Sequence, residues 1–505
     1  MDKVTYRVET FKDLVGWVLR RTVQEMVERL ALVLAAVDEE VHNDPEERKR
    51  RQGWESIGKR ERSMQSLLGL EVRFARRGYR RVGPDGRVEY RWPLDELLGL
   101  APEERFCPLV QQMAVGLAAQ SSFREAAAFL REYLQVPVSH QQVHRWVQAA
   151  GARREMEEQE QVAAVFERGE ALVSEGQGAA VVVFEGDGMN VHLQREKADR
   201  AELKLCVMHE GWVAESPANR RYRLVKKVAV GGSLPTETLW QRVLLRFHGR
   251  YDAAKVGRVV VNGDGAGWVK AARAYLDGAE VYLDPYHRNQ ALRNGLGFAP
   301  DLLERAHAAI AEGNLDSLRQ VLVEALGRAP GEEHVQRVKE LRRYLRDNWD
   351  GLCDWRQAGK PVPEGARGLG AAEPQISHVL SRRMKKRGMS WRIAGAHRMA
   401  LLRCLHAEGA LAAWLERWAT QCWSEAAPAS PPSQAQRRQV LERLERTDPA
   451  EWLRGQIPLL AAGEGRTELG RLLKRLSSLD SSLWDVRFTG QPAAWGGRIV
   501  PPQTA

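Results

Sequence analysis

The sequence predicts a mixed α+β and α/β fold: a strand-rich core interrupted by an all-helical insertion, with helical regions before and after it. Three observations predict it. Apolar runs of strand type concentrate in residues 179–283, and residues 286–360 carry helical spacing with no strand signal. Segments 11–42, 108–150 and 370–423 repeat apolar residues at helical intervals.

The 505 residues suggest about three domains and at least one large core. Lys+Arg number 76 against 66 Asp+Glu, a formal charge of +10. Arginine dominates the excess, in runs such as Arg76-Arg77, Arg80-Arg81, Arg382-Arg383 and Lys385-Lys386-Arg387. Its rigid fork of donors suits phosphate, so the composition leans toward nucleic acid; a solvated basic surface has the same signature. Five cysteines, Cys107, Cys206, Cys353, Cys404 and Cys422, form no C-x-x-C pair. An odd, scattered set argues against a disulfide framework and a structural zinc site, and fits a reducing cytosol. Met1–Asp13 is charged, unlike a secretory signal, and no apolar stretch is long enough to span a membrane. A cytoplasmic protein is expected.

The elements follow in order. Residues 1–68 form an N-terminal helical region, with Phe11, Leu14, Val15, Val18, Leu19 and Val23 on one stripe of a long helix. In residues 69–107, Val72, Phe74, Tyr79, Val82, Val88 and Tyr90 surround the turn Gly83-Pro84-Asp85-Gly86, which predicts a basic β-hairpin. The arginines on its arms suit either phosphate binding or a solvated sheet edge. Residues 108–160 have helix-turn-helix logic: Ser122–Leu130, then Val136-Pro137-Val138, then Ser139–Val147. Ser139 is placed to cap the second helix. Val143, Trp146 and Val147 face inward, leaving His140, Gln141, Gln142, His144 and Arg145 at the exposed start, where a recognition helix meets DNA. An ordinary helical pair has the same pattern.

Residues 175–292 read as the first part of the core. Ala179–Phe184, Met189–Gln194 and Leu203–His209 are three strand signals. A helix over 234–251 follows, with Leu239, Trp240, Val243, Leu244 and Phe247 on one face. Arg258–Asn262 is a fourth strand, Lys270–Leu276 a short helix and Val281–Leu283 a fifth strand. That order is the order of an RNase H-like core: an antiparallel meander, then parallel strands joined by crossover helices. The helical insertion takes 293–365, and a last core helix with a basic helical segment takes 366–424. Ala426–Ser433 is a linker, and 434–505 a helical C-terminal region and tail.

Asp187 follows the apolar run Val181–Phe184, and Asp264 follows Val259-Val260-Val261-Asn262. Glycines flank both, letting backbone crowd close to a ligand. If the first and fourth strands are neighbours, the two carboxylates converge, and hard cations such as Mg2+ take oxygen ligands of this kind. Alone, each Asp-Gly is also a common turn. Glu373, in Ala371-Ala372-Glu373-Pro374, stands at a helix mouth, where its charge equally suits the helix dipole.

Several runs together resemble bacterial insertion-sequence DDE transposases of the ISLre type, relatives of the Mutator-like group. They are Asp187-Gly188-Met189-Asn190-Val191-His192, Gly263-Asp264-Gly265-Ala266-Gly267-Trp268, Leu283-Asp284-Pro285-Tyr286-His287, Leu369-Gly370-Ala371-Ala372-Glu373 and Arg382-Arg383-Met384-Lys385-Lys386-Arg387. The likeness covers roughly residues 60–410. It implies a nuclease and strand transferase holding two Mg2+ (or Mn2+) ions on Asp187, Asp264 and Glu373, with Asp284 and His287 as accessory residues. It departs from the family at Pro374, where glycine is expected.

The expected partners are double-stranded DNA at element ends and target, met by Gln141, Gln142, Arg145, Lys385, Lys386 and Arg387. A homo-oligomer assembled on DNA at the bacterial nucleoid is expected. An RNase H-like nuclease without strand transfer, and a catalytically silent DNA-binding descendant, are the alternatives.

Overall fold

A computed structural model describes residues 10–100, 104–214, 222–357, 359–363, 365–385 and 388–425. Residues 386 and 387 and the expected linker and C-terminal region lie outside them. The chain divides into two units, one within residues 1–31, 61–75 and 99–427, the other within 32–60, 76–98 and 428–505. Among the described residues no helix is long and apolar enough to cross a membrane.

The N-terminal stripe forms helix α1 (Phe11–Asn43), on which Phe11, Val15, Val18 and Leu19 remain exposed. Asp44 caps α2 (Pro45–Arg50), its Oδ1 accepting from the Glu46 and Glu47 amides at 2.7 and 3.1 Å. Strands β1 (Glu55–Gln65), β2 (Glu71–Val82) and β3 (Val88–Arg91) make a three-stranded sheet, and α3 (Pro93–Leu98) follows. The hairpin turns where Gly83–Gly86 predicts, with Val82 opposite Val88. Strand β1 falls where the sequence reads as helical. Its residues, Glu55-Ser56-Ile57-Gly58-Lys59-Arg60-Glu61, are nearly all exposed, so no apolar alternation marks them.

The hairpin arginines are engaged within the protein. Arg77 binds Asp38 and Glu39 at 2.9 and 2.8 Å, and Arg76 binds Asp95 at 2.7 Å. Arg91 bridges Glu47 and Glu96, Arg80 meets Glu55, and Arg81 meets Glu89. Arg76, Arg77 and Arg91 are thus tied into the module, while Arg80, Arg81 and Arg87 make their pairs at its solvent-exposed edge.

In the larger unit, β4 (Gln177–Ala179), β5 (Val182–Leu193), β6 (Arg200–His209), β7 (Trp212–Ala214), β8 (Tyr222–Leu224), β9 (Val228–Gly232), β10 (Tyr251–Val256), β11 (Val259–Gly263), β12 (Glu280–Leu283) and β13 (Ser390–Trp391) are the strands. The main sheet has the order β12-β11-β5-β6-β9, with β13 on the end of β5. Strands β5, β6 and β9 are antiparallel, while β11 and β12 run parallel to β5. Two predicted strands, 179–184 and 189–194, are thus one strand, β5. Gly186 and Gly188 read as an interruption, yet each makes room for a packed neighbour. A Cβ on Gly186 would stand 2.9 Å from the Trp268 ring, and one on Gly188 2.6 Å from Glu202 Oε1. The third strand of the meander is β9, Val-Ala-Val-Gly-Gly, too short and glycine-rich to register as a strand.

One sheet face packs α7 (Thr236–Arg250) and α8 (Gly267–Lys270). Trp240, Val243, Phe247 and Trp268 meet Val182, Phe184 and Val261 there. Against the opposite face, at the β5–β6 end, lie α4 (Pro108–Ala118), α5 (Phe123–Leu134) and α6 (His140–Val162). They share one core with Met189, Val191, Leu203 and Leu205 and with later helices: α13 (Ala372–Ile376), α14 (Arg382–Met384), α15 (Ile393–Ala407) and α16 (Leu411–Glu425). From Pro285 to Asp347 the chain is helical, as its periodicity predicts. Helices α9 (Pro285–Leu296), α10 (Pro300–Ala311), α11 (Leu315–Arg328) and α12 (Glu332–Asp347) close a core of their own around Leu292, Leu302, Val321 and Leu341.

Glycine at the end of β11 is a packing requirement. A Cβ on Gly263 would lie 2.8 Å from the Gly186 carbonyl and from a Val269 methyl. Gly263→Ala is expected to cost about 1–3 kcal/mol through overpacking, read from the urea midpoint. An unchanged midpoint would mean the two strands can part without penalty.

Candidate functional site

Side chains alternate along a strand, so Glu185 and Asp187 share one face of β5. In the parallel register Asn262 lies opposite Glu185 and Gly263 opposite Gly186. One step further, Asp264 stands beside Asp187 on the same face. On the other side of β11, Gly263 lies opposite Leu283, and the next residue is Asp284. Asp264 and Asp284 therefore follow the C-terminal ends of β11 and β12, beside Asp187 at the middle of β5.

Helix α13 brings Glu373 to this face in its first turn, and α9 brings His287. One carboxylate oxygen each of Asp187 and Glu373 and a ring nitrogen of His287 lie within 4.8 Å of one another. Asp187 is buried, His287 half-buried and Glu373 exposed. Burial pushes the Asp187 carboxyl up to about 7; the Gly188 amide, donating at 2.7 Å, opposes this, and the charges of Glu373 and Asp264 add to it. Asp264 thus joins the cluster electrostatically. Its turn is held by the Ala266 amide on its Oδ1 at 2.8 Å and by the Tyr344 hydroxyl, which donates to its carbonyl at 2.7 Å. Gly265 there has φ +85°, a conformation that favours glycine.

Asp284 has a different task. It is fully buried and caps α9, its Oδ1 accepting from the Tyr286 and His287 amides at 2.8 and 3.4 Å. Its Oδ2 accepts from Asn262 Nδ2 at 2.9 Å. Both oxygens are engaged by the fold, and Asp284, like Asp264, lies outside the Asp187–His287–Glu373 group. His287 Nε2, by contrast, is buried with no hydrogen-bond partner.

The donors fit a divalent cation. Carboxylates suit hard ions such as Mg2+ and Mn2+, and imidazole is an accepted ligand of transition ions. An orphaned ring nitrogen beside two crowded acids is the arrangement that a cation would satisfy.

The predicted DNA-facing residues sit elsewhere in the unit. Ser139 caps α6, its Oγ accepting from the Gln142 amide at 3.1 Å, and Val143, Trp146 and Val147 are buried. Gln141 and Arg145 are exposed and Gln142 half-buried. Lys385 is exposed, and Lys386 and Arg387 lie outside the described residues. Arg383, of the same basic run, is buried, donating to the Ala118 carbonyl at 2.8 Å and facing the Phe123 and Trp391 rings.

Sequence reasoning missed two residues that shape the site, Glu185 and Asn262. Glu185 Oε2 accepts from Asn262 Nδ2 at 2.8 Å, from the Ala372 amide at 2.9 Å and from the Gly370 amide at 3.3 Å. His209 Nε2 lies 3.4 Å from its other oxygen. The available signal was a polar residue ending each apolar run, Val181–Phe184 and Val259–Val261.

The chain belongs to UPF0236, an uncharacterised protein family whose model matches residues 8–421. A UPF0236 protein of Caldanaerobacter subterraneus subsp. tengcongensis, whose name joins eleven designations, is 24% identical over 410 residues, 80% of this chain and 78% of its own. A UPF0236 protein in the vanSb 3′ region of Streptococcus gallolyticus is 25% identical over 357 residues, 70% of this chain and 74% of its own. Among solved structures, the Drosophila P element transposase strand transfer complex is 11% identical and matches 74% of this chain and 91% of that chain, with a TM-score of 0.21. A score that low carries no argument.

The Asp187 environment makes a prediction. Its carboxyl has an ordinary value of 3.8 and a folded value of about 7, so between them the folded state holds more protons than the unfolded one. Stability of the cation-free protein therefore falls as pH rises through that window. Asp187→Asn should flatten that dependence in thermal unfolding. Equal slopes for both proteins would show that Asp187 titrates normally.

Proposed function

We propose that this protein is a metal-dependent DDE transposase of the ISLre type, cutting and rejoining DNA phosphodiesters at insertion-sequence ends. The observation that carries this reading is the close group of Asp187, Glu373 and the unpartnered His287, from three distant chain segments, with Asp264 beside Asp187 on the neighbouring strand. The sheet order supports an RNase H-like core. Numbered along the sheet's own strands, β12-β11-β5-β6-β9 is five, four, one, two, three. The helical segment between β12 and α13 then corresponds to an insertion. A single name covering eleven designations in a relative suits a gene present in many copies, as mobile elements are.

In this reading Asp187 and Glu373 direct oxygens, and His287 a nitrogen, into one volume, and Asp264 completes the set from the neighbouring strand. Two divalent ions bound there would activate the attacking water or 3′-hydroxyl and stabilise the leaving oxygen. Glu373 is exposed, which leaves room for a DNA strand to approach the buried Asp187. Gln141, Gln142 and Arg145 at the start of α6 meet base edges or phosphates of double-stranded DNA, and Lys385 a flanking phosphate.

Incubation with labelled element ends and Mg2+ tests the assignment. Nicked and joined products are expected. Nicking with no joined product would leave a nuclease, and no reaction at all would leave a DNA-binding protein.

Two substitutions refine it. Glu373→Gln keeps the shape and removes the charge; cleavage should fall by at least about 100-fold while DNA affinity is kept. Near-normal cleavage would take Glu373 out of the site. Changing Gln142 and Arg145 to Ala should weaken binding to element ends by about 1–3 kcal/mol for each base these side chains read, at a fixed salt concentration. Metal-dependent nicking of non-specific DNA should persist. Unchanged end affinity would remove α6 from recognition.

A further inference from the structure

We propose that Asn262 is a positioning residue: the centre of a buried clamp that holds the Glu373 and His287 segments in one geometry. The proposal rests on the cation-site reading given above, and it assigns a role to three side chains outside the ligand set.

Asn262 is fully buried on β11, two residues before Asp264. A side-chain amide has two N–H donors. One goes to Glu185 Oε2 at 2.8 Å and the other to Asp284 Oδ2 at 2.9 Å. The amide orientation follows from its neighbours, since its oxygen would repel either carboxylate. Each carboxylate then passes the connection to backbone. Glu185 receives the amides of Gly370 and Ala372, and Ala372 immediately precedes Glu373. Asp284 receives the amides of Tyr286 and His287. A continuous path therefore runs from the Ala372 amide through Glu185, Asn262 and Asp284 to the His287 amide. Both segments that deliver a donor atom to the cluster hang on the same side chain.

A stabilising role alone does not explain this residue. Asn262 Oδ1 is buried without a hydrogen-bond partner, and a buried orphan acceptor destabilises the fold. The amide is used only through its two donors, each facing an acid that orders a ligand-bearing segment. Partners one step behind metal ligands typically alter affinity by about 10- to 100-fold when changed.

The test is Mn2+ affinity of the full chain, measured by titration calorimetry. Asn262→Asp keeps the shape and removes the paired donors. Its Mn2+ affinity should fall about 10- to 100-fold while circular dichroism stays native. In the same variant, hydrogen exchange should rise in the peptides covering 368–376 and 285–290 together. Glu185→Gln keeps an acceptor for the Ala372 amide and should stay within about threefold of wild type, whereas Glu185→Ala should lose affinity like Asn262→Asp. If Asn262→Asp fails to fold, the Glu185 pair decides the matter by the same measure. A folded Asn262→Asp with wild-type affinity, or equal effects of Gln and Ala at Glu185, would overturn the clamp and leave the cation site standing. Absence of Mn2+ binding by the wild-type chain would overturn the cation site, and the clamp with it.

Discussion

The parallel register of β11 on β5 is the constraint on which the rest of the site depends. With Asn262 opposite Glu185 and Gly263 opposite Gly186, the next residues of both strands reach the same face as acids. A slip of one residue would send Asp264 to the apolar face occupied by Trp240 and Phe247. The register is fixed from behind. Gly263 fits against the Gly186 carbonyl, and Gly186 against the Trp268 ring, with no space for a side chain at either. The glycines flanking the acids thus serve the sheet's packing more than access to a ligand. Gly265 is the exception in kind, needed for its left-handed turn and pressed against Asn348.

Four acids meet on this part of the sheet, and their hydrogen bonds sort them into two classes. Glu185 and Asp284 are buried and each accepts three N–H groups or more, so their charge is answered by the fold. Asp187 and Asp264 each accept one backbone amide, and burial, with the charges of Glu373 and Asp264, raises the proton affinity of Asp187. A buried charge with few internal donors, as on Asp187, is unfavourable without a partner from outside. A perturbed acid of this kind is common at functional sites. The fold satisfies the acids that organise backbone and leaves those beside them open, and that division separates scaffold from chemistry more sharply than burial does.

Much of this was legible in the sequence, for identifiable reasons. Asp187 and Asp264 stand out because each sits between glycines just past an apolar run of strand type. The strands β6, β11 and β12 follow from lengths and periods, while β5 reads as two strands, and β1 and β9 are missed. The first lacks apolar residues to alternate, and the second is five residues with two glycines. Glu373 was not reachable from local pattern. It lies 109 residues beyond Asp264 (373 − 264), past a separate helical core, and only the family resemblance pointed to it. Asp284 and His287 came only with the family resemblance; in the structure Asp284 caps α9, and a ring nitrogen of His287 lies with Asp187 and Glu373. Glu185 and Asn262 were illegible because their partners, the Ala372 and Gly370 amides, have no sequence signature at all. Within the basic run at Arg382–Arg387, Arg383 is buried and donates to the Ala118 carbonyl at the end of α4, while Lys385 is exposed.

Helix α6 ties the two proposed tasks together. Its first turn is the exposed, Ser139-capped start that carries Gln141 and Arg145. Its second half is locked into the unit: Gly151 packs directly on Arg398 of α15, Arg154 and Arg242 both meet Glu158, and Trp414 of α16 donates to Glu157 at 2.8 Å. Helix α15 in turn packs in the same core as Leu203 and Leu205 of β6, which pairs with β5 across Asp187. Close-packed interiors transmit displacement and do not absorb it. On the proposed reading, a DNA end bound at the start of α6 is therefore held rigidly relative to the sheet that carries the acids. Positioning a phosphodiester for in-line attack is where most of the available rate enhancement lies, since metal-assisted phosphoryl transfer leaves the protein little covalent work to do. Recognition built into the catalytic core, and not carried on a tethered module, meets that requirement with no hinge in between.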